Sequence, residues 1–65
     1  MAGLIDASAA AALLGVKESW VRAQARRDAI PYVPLGRYVR FDPDDLETWW
    51  RQRRRGPLAS NDQST

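Results

Sequence analysis

Lys17, Glu18, Ser19 and Arg22 stand within six residues of one another, and Arg26 follows Arg22 by four. An arginine guanidinium is a rigid planar fork whose paired donors fit the O6 and N7 acceptors of guanine. A glutamate accepts from the amino group of cytosine. Lysine and serine suit phosphate oxygens, which fix register without reading sequence. Glu18, Arg22 and Arg26 recur at i, i+4 and i+8, so one helix face carries them, flanked by Ser19 and Ala23. Ala23 leaves room for something flat to approach. The chemistry implied is base reading, with Arg22 as the leading reader and Lys17 and Ser19 as phosphate contacts. A solvated helix face carries similar charges without a ligand, and Glu18 also suits a helix N-terminus.

Other chemistries are poorly supplied. The chain has 65 residues, enough for one small domain, and contains no cysteine and no histidine. There is therefore no disulfide framework, no thiol nucleophile and no imidazole base. Asp42, Asp44, Asp45 and Glu47 form a carboxylate cluster. Helix capping accounts for the first three, and the cluster lacks the glycine and final glutamate of a calcium-binding loop. The expectation is a non-enzyme without metal, cofactor or small-molecule ligand. No apolar run approaches a membrane span, and no basic start marks a signal peptide. A cytoplasmic, nucleoid-associated protein without membrane contact is expected.

The net charge is only +2, but its placement is uneven. Lys17 to Arg40 holds six basic and two acidic residues; Asp42 to Glu47 holds four acidic and no basic ones; Arg51, Arg53, Arg54 and Arg55 follow. Nine of the ten cations are arginine, which favours bidentate recognition over simple charge, although a GC-rich genome produces the same bias.

These residues need elements to hold them. Asp6 can cap a first helix from Ala7 to Leu14, with Ile5 as its staple residue and Ala10, Leu13 and Leu14 facing inward. Gly15 permits a sharp reversal into a second helix from Glu18 to Arg27. Val21 and Ala25 form its buried face, with Gln24 at the edge. Pro31 forces Ile30 out of helical conformation. Tyr32 to Phe41 reads as a hairpin. A three-residue loop, Gly36-Arg37-Tyr38, collects Val33, Leu35, Val39 and Phe41 on one face and leaves Arg37 and Arg40 outward; a two-residue loop splits that set. Pro34 fits an edge strand. Asp42 caps a third helix with Pro43 at its first position; Leu46, Trp49, Trp50 and Arg53 follow at helical spacing, and Gly56-Pro57 ends it. Of the adjacent Trp49 and Trp50, at least one belongs in the core. Trp20 is expected to pack beside the first helix or the hairpin, with contact to the DNA backbone as the alternative. Residues 1–56 form the domain, and 57–65 read as a disordered tail.

The order helix-turn-helix-hairpin-helix, mainly α with a two-stranded β-hairpin wing, carries a set of short motifs. They are Leu14-Gly15-Val16, Val21, Arg26-Arg27, Ile30-Pro31, Leu35-Gly36-Arg37, Arg40-Phe41, Asp45-Leu46 and Trp49. In this order, over residues 4 to 50, they resemble the excisionase-type helix-turn-helix domains, small winged helices related to the MerR DNA-binding domain. The resemblance implies that the second helix enters the major groove and that the wing, with Arg37, Tyr38 and Arg40, reaches the backbone or the minor groove. It further implies a recombination directionality factor of a phage or mobile element, which binds tandem sites, bends DNA and assists an integrase. A small transcriptional regulator acting at one operator is the alternative.

Double-stranded DNA, an integrase and adjacent copies arranged head-to-tail are the expected partners, since no dimerisation helix follows Gly56. Trp20 and the run Arg51, Arg53, Arg54 and Arg55 are further candidates for DNA or partner contact. Three positions depart from the family pattern. Asp28 stands where glycine is frequent, which implies a different exit from the second helix. Trp20 stands where a small polar residue is usual, and Gln24 where an apolar one is.

Overall fold

A computed structural model describes residues 3–56. The expected tail, 57–65, lies outside the described residues. In chain order the elements are α1 (Ala7–Leu14), α2 (Glu18–Arg26), β1 (Val33–Leu35), β2 (Tyr38–Arg40) and α3 (Pro43–Arg51). Three helices with a two-stranded antiparallel hairpin before the last make a winged helix-turn-helix.

α1 starts where Asp6 accepts a hydrogen bond from the Ala9 backbone N–H at 2.9 Å. Its alanine run favours helix but offers little volume. The inward face is Ala7, Ala10 and Ala11, with Leu14 partly buried behind them. Leu13, expected to face inward, is 53% exposed. The stripe 7, 10, 11, 14 follows helical periodicity, and residue 13 falls about 100° away from 14. Small residues on this face let α1 lie close to Val21 and Ala25 of α2, which are both buried as expected.

Gly15 closes α1 in the left-handed region at φ 71°, and the Val16 N–H reaches back to the Ala11 carbonyl at 3.0 Å. A Cβ at Gly15 would meet nothing within 4 Å. Its requirement is thus one of backbone conformation alone. Gly15→Ala is expected to destabilise the domain by about 1–2 kcal/mol, the cost of a left-handed L-residue, measurable by urea denaturation.

α2 ends at Arg26, one residue earlier than expected. Its exit keeps a left-handed residue, but aspartate supplies it: Asp28 has φ 56°. Aspartate is among the few non-glycine residues that visit this region. The Asp28 carboxylate also accepts the hydroxyl hydrogen of Tyr32, which bridges the Ile30-Pro31 corner. Gln24 is half-buried at the edge of the helix, as its position implied.

The hairpin corrects the expected register. Leu35 pairs with Tyr38, Pro34 with Val39 and Val33 with Arg40, so the loop is the two residues Gly36-Arg37. Gly36 alone of these two has positive φ, at 63°. A single left-handed residue at the first loop position is what a type II′ turn asks of glycine, and its twist suits a hairpin. The apolar set is therefore split: Val33 and Leu35 share a face with Tyr38 and Arg40, while Val39 lies opposite. Arg40 does not stand on the face opposite Leu35, as the longer loop required. Leu35 and Val39 are exposed, and the core takes only Phe41 from this region. Phe41 and Ile5 exchange backbone hydrogen bonds at 2.8 Å in both directions, which ties the hairpin's end to the start of the domain.

α3 begins as its sequence requires. Asp42 accepts from the Asp44 N–H at 2.9 Å, Pro43 occupies the first turn, and Asp44 and Asp45 complement the helix dipole. It ends at Arg51, short of Gly56. From Gln52 to Gly56 there is no apolar side chain to bury, and Arg51 and Arg55 would repel at i, i+4. Leu46 is fully buried, Trp49 is partly buried against the core, and Trp50 is exposed. Among the described residues, the enclosed core is thus four alanines with Val21, Ile30, Phe41 and Leu46.

Candidate nucleic-acid interface

α2 presents its charged face to solvent because Val21 and Ala25 fix the opposite face in the core. Its start, Lys17, is in extended conformation and makes no side-chain cap. Lys17, Ser19, Arg22 and Arg26 are exposed, and Glu18 and Ala23 are half-buried. One turn along, the Nε and Nη2 groups of Arg22 both donate to Oε2 of Glu18, at 2.9 and 2.6 Å. The side chains of this pair remain 58% and 42% exposed.

A cleft of about 490 Å³ separates α2 from the hairpin. Arg22 and Arg26 line it from α2; Arg37, Tyr38 and Arg40 line it from the hairpin. Buried Ala25 and Phe41 lie beneath, and among the described residues Asp6 supplies the one carboxylate on its walls. The sequence separated these arginines by up to 18 residues, and the fold gathers four around one concavity. Lys17, Glu18, Ser19 and Ala23 do not line it.

The hairpin arginines are organised by Tyr38. The guanidinium carbons of Arg37 and Arg40 lie 5.6 and 5.3 Å from its ring centroid, within cation–π range. Arg40 also donates through Nη1 to the Val39 carbonyl at 2.9 Å. Tyr32 lines the same cleft, a position that the sequence reading did not single out. The available signal was its i, i+4 spacing from Asp28 across Pro31. Its hydroxyl is held above the ordinary tyrosine range by the hydrogen bond to Asp28, with the carboxylate's charge adding to the effect.

A comparison with family models decides what kind of domain carries this cleft. The helix-turn-helix domain family matches residues 4–54. This chain belongs to the helix-turn-helix domain family. No curated protein and no solved structure matched it. Membership points to sequence-specific binding of double-stranded DNA, in which the second helix meets base edges. It also fits a binding module better than an enzyme. Among the described residues, no helix is long and apolar enough to cross a membrane.

The remaining candidates in this helix-turn-helix domain form a second cluster, apart from the cleft. Trp20 packs on α3, an element its expected placement did not include, with its ring centroid 6.5 Å from that of Trp49. It is 41% exposed. Trp20 and Arg22 are two residues apart on a helix, so they point to nearly opposite sides of α2. Arg53 lies over Trp49 at 4.7 Å, and Arg51 and Arg54 lie over Trp50 at 5.9 and 5.8 Å. Arg51 also pairs with Glu47 at 2.7 Å, an exposed i, i+4 bridge of small energetic value. Arg55 is exposed beyond the helix.

Proposed function

We propose that the domain is an excisionase-type architectural protein that binds tandem DNA sites, bends them and promotes integrase-mediated excision of a phage or mobile element. One observation carries the DNA-binding core of this reading: a single cleft unites Arg22 and Arg26 of α2 with Arg37, Tyr38 and Arg40 of the wing. A helix seated in the major groove and a hairpin on the neighbouring backbone or minor groove need their cations on one side of the molecule. Arg22 reads a guanine, Arg26 and Lys17 neutralise phosphates, and the wing arginines track the adjacent strand. The motifs from Leu14-Gly15-Val16 to Asp45-Leu46 support the excisionase assignment, and adjacent copies assemble head-to-tail on the sites.

The deciding experiment is an excision assay with the cognate integrase, run with and without the protein, beside footprinting of the attachment-site arm. Repeated protection near one helical turn, retarded bent fragments and protein-dependent excision are expected. A single unbent footprint with reporter repression and no effect on excision would assign the protein to an operator instead. The log–log salt slope of binding should be about −4 to −5 if four to six phosphates are neutralised. Replacing Arg37 and Arg40 together by alanine should make that slope shallower by about 1.8, with affinity falling equally on all sequences.

A further inference from the structure

We propose that Glu18 is a positioning residue that converts Arg22 from a phosphate-binding cation into a base reader. This rests on α2 being the reading helix. Both Nε and Nη2 of Arg22 donate to the single oxygen Oε2 of Glu18. In a planar guanidinium those two groups form the side edge. The end edge, made by Nη1 and the second hydrogen of Nη2, stays available with its two parallel donors. That edge matches O6 and N7 of guanine.

Charge makes the same distinction. Arg22 is one of four arginines around the cleft, and among the described residues it alone of the four is bridged to a carboxylate. A carboxylate beside the guanidinium repels phosphate oxygens and cancels most of the attraction that would draw Arg22 to the backbone. It does little to neutral acceptors on a base edge. Arg26 and Arg37 carry no such partner and are left to the phosphates. The pair is weak in water, where solvent screens it. Against DNA, water is displaced and the attraction between the two charges strengthens. A guanidinium already held in one orientation also loses less freedom on docking.

The test compares wild type, Glu18→Gln, Glu18→Asp and Arg22→Ala. Duplexes are first selected by the wild type from a pool with a randomised centre. The selected duplex, its single-base-pair variants and a scrambled duplex are then titrated at several salt concentrations. Glu18→Gln should lower the selected-to-scrambled affinity ratio at least about fivefold, at the base pair that Arg22→Ala also relaxes. It should bind the scrambled duplex more tightly, with a salt slope steeper by about 0.9, because Arg22 is now free to take a phosphate. Glu18→Asp keeps the charge but is one methylene shorter. It should lose the same discrimination with a slope near that of wild type. Adding Glu18→Gln to Arg22→Ala should cost no further discrimination. Wild-type ratio and slope in Glu18→Gln would overturn the proposal. So would a loss confined to a base pair that Arg22→Ala leaves intact, which would give Glu18 a base contact of its own. A wild type that selects no sequence at all would remove the reading helix and this role together.

Discussion

Phe41→Ala is expected to leave the domain without a cooperative thermal transition at room temperature. Phe41 is fully buried and is among the largest of the eight enclosed core residues, four of which are alanine. Truncating a buried phenylalanine costs about 3–5 kcal/mol, from lost burial and the cavity left behind. A domain of this length has a total stability of only about 3–10 kcal/mol at the usual yield per residue. The substitution therefore removes a large share of what holds the fold, and alanine-rich α1 has little volume with which to collapse into the gap. Circular dichroism against temperature reads the result. Leu13→Ala is the matched control: it removes a leucine that is 53% exposed, and its midpoint should stay within a few degrees of wild type. A cooperative Phe41→Ala transition near the wild-type midpoint would show that the core does not depend on this ring.

The elements were legible because each carries its own local chemistry. Asp6 and Asp42 are caps that need no tertiary context, and Gly15 is required by one backbone angle. Burial was harder to read. Leucine at position 13 outranks alanine on any hydrophobicity scale, yet Ala7 and Ala11 are buried because close approach of α2 rewards small size. The hairpin failed for a related reason. Maximising inward apolar residues selected a three-residue loop, but this small core accepts Phe41 and leaves Leu35 and Val39 in solvent. Turn geometry at Gly36 outweighed the apolar pattern. The arginines of the proposed interface were each visible as types. That Arg22, Arg26, Arg37 and Arg40 share one cleft depends on how the hairpin stands opposite α2, which no spacing in the chain encodes.

Arg22→Ala should abolish preference at one base pair while leaving most of the total affinity for DNA in place. A bidentate arginine–guanine contact contributes about 1–3 kcal/mol of discrimination, or roughly a 5- to 150-fold ratio between the right base pair and a wrong one. Nonspecific affinity comes instead from displaced counterions, and the Arg22 charge is largely offset by Glu18. The salt slope should therefore barely change. Arg26→Ala makes the opposite case. It stands one turn along the same face and lines the same cleft, but no carboxylate bridges it among the described residues. Its loss should flatten the slope by about 0.9 and weaken all sequences alike. The two variants thus separate reading from holding on one helix. If Arg26→Ala relaxed a base pair and Arg22→Ala changed only the slope, α2 would sit in the groove shifted along its axis by about one turn, with Arg26 at the bases and Arg22 at the backbone.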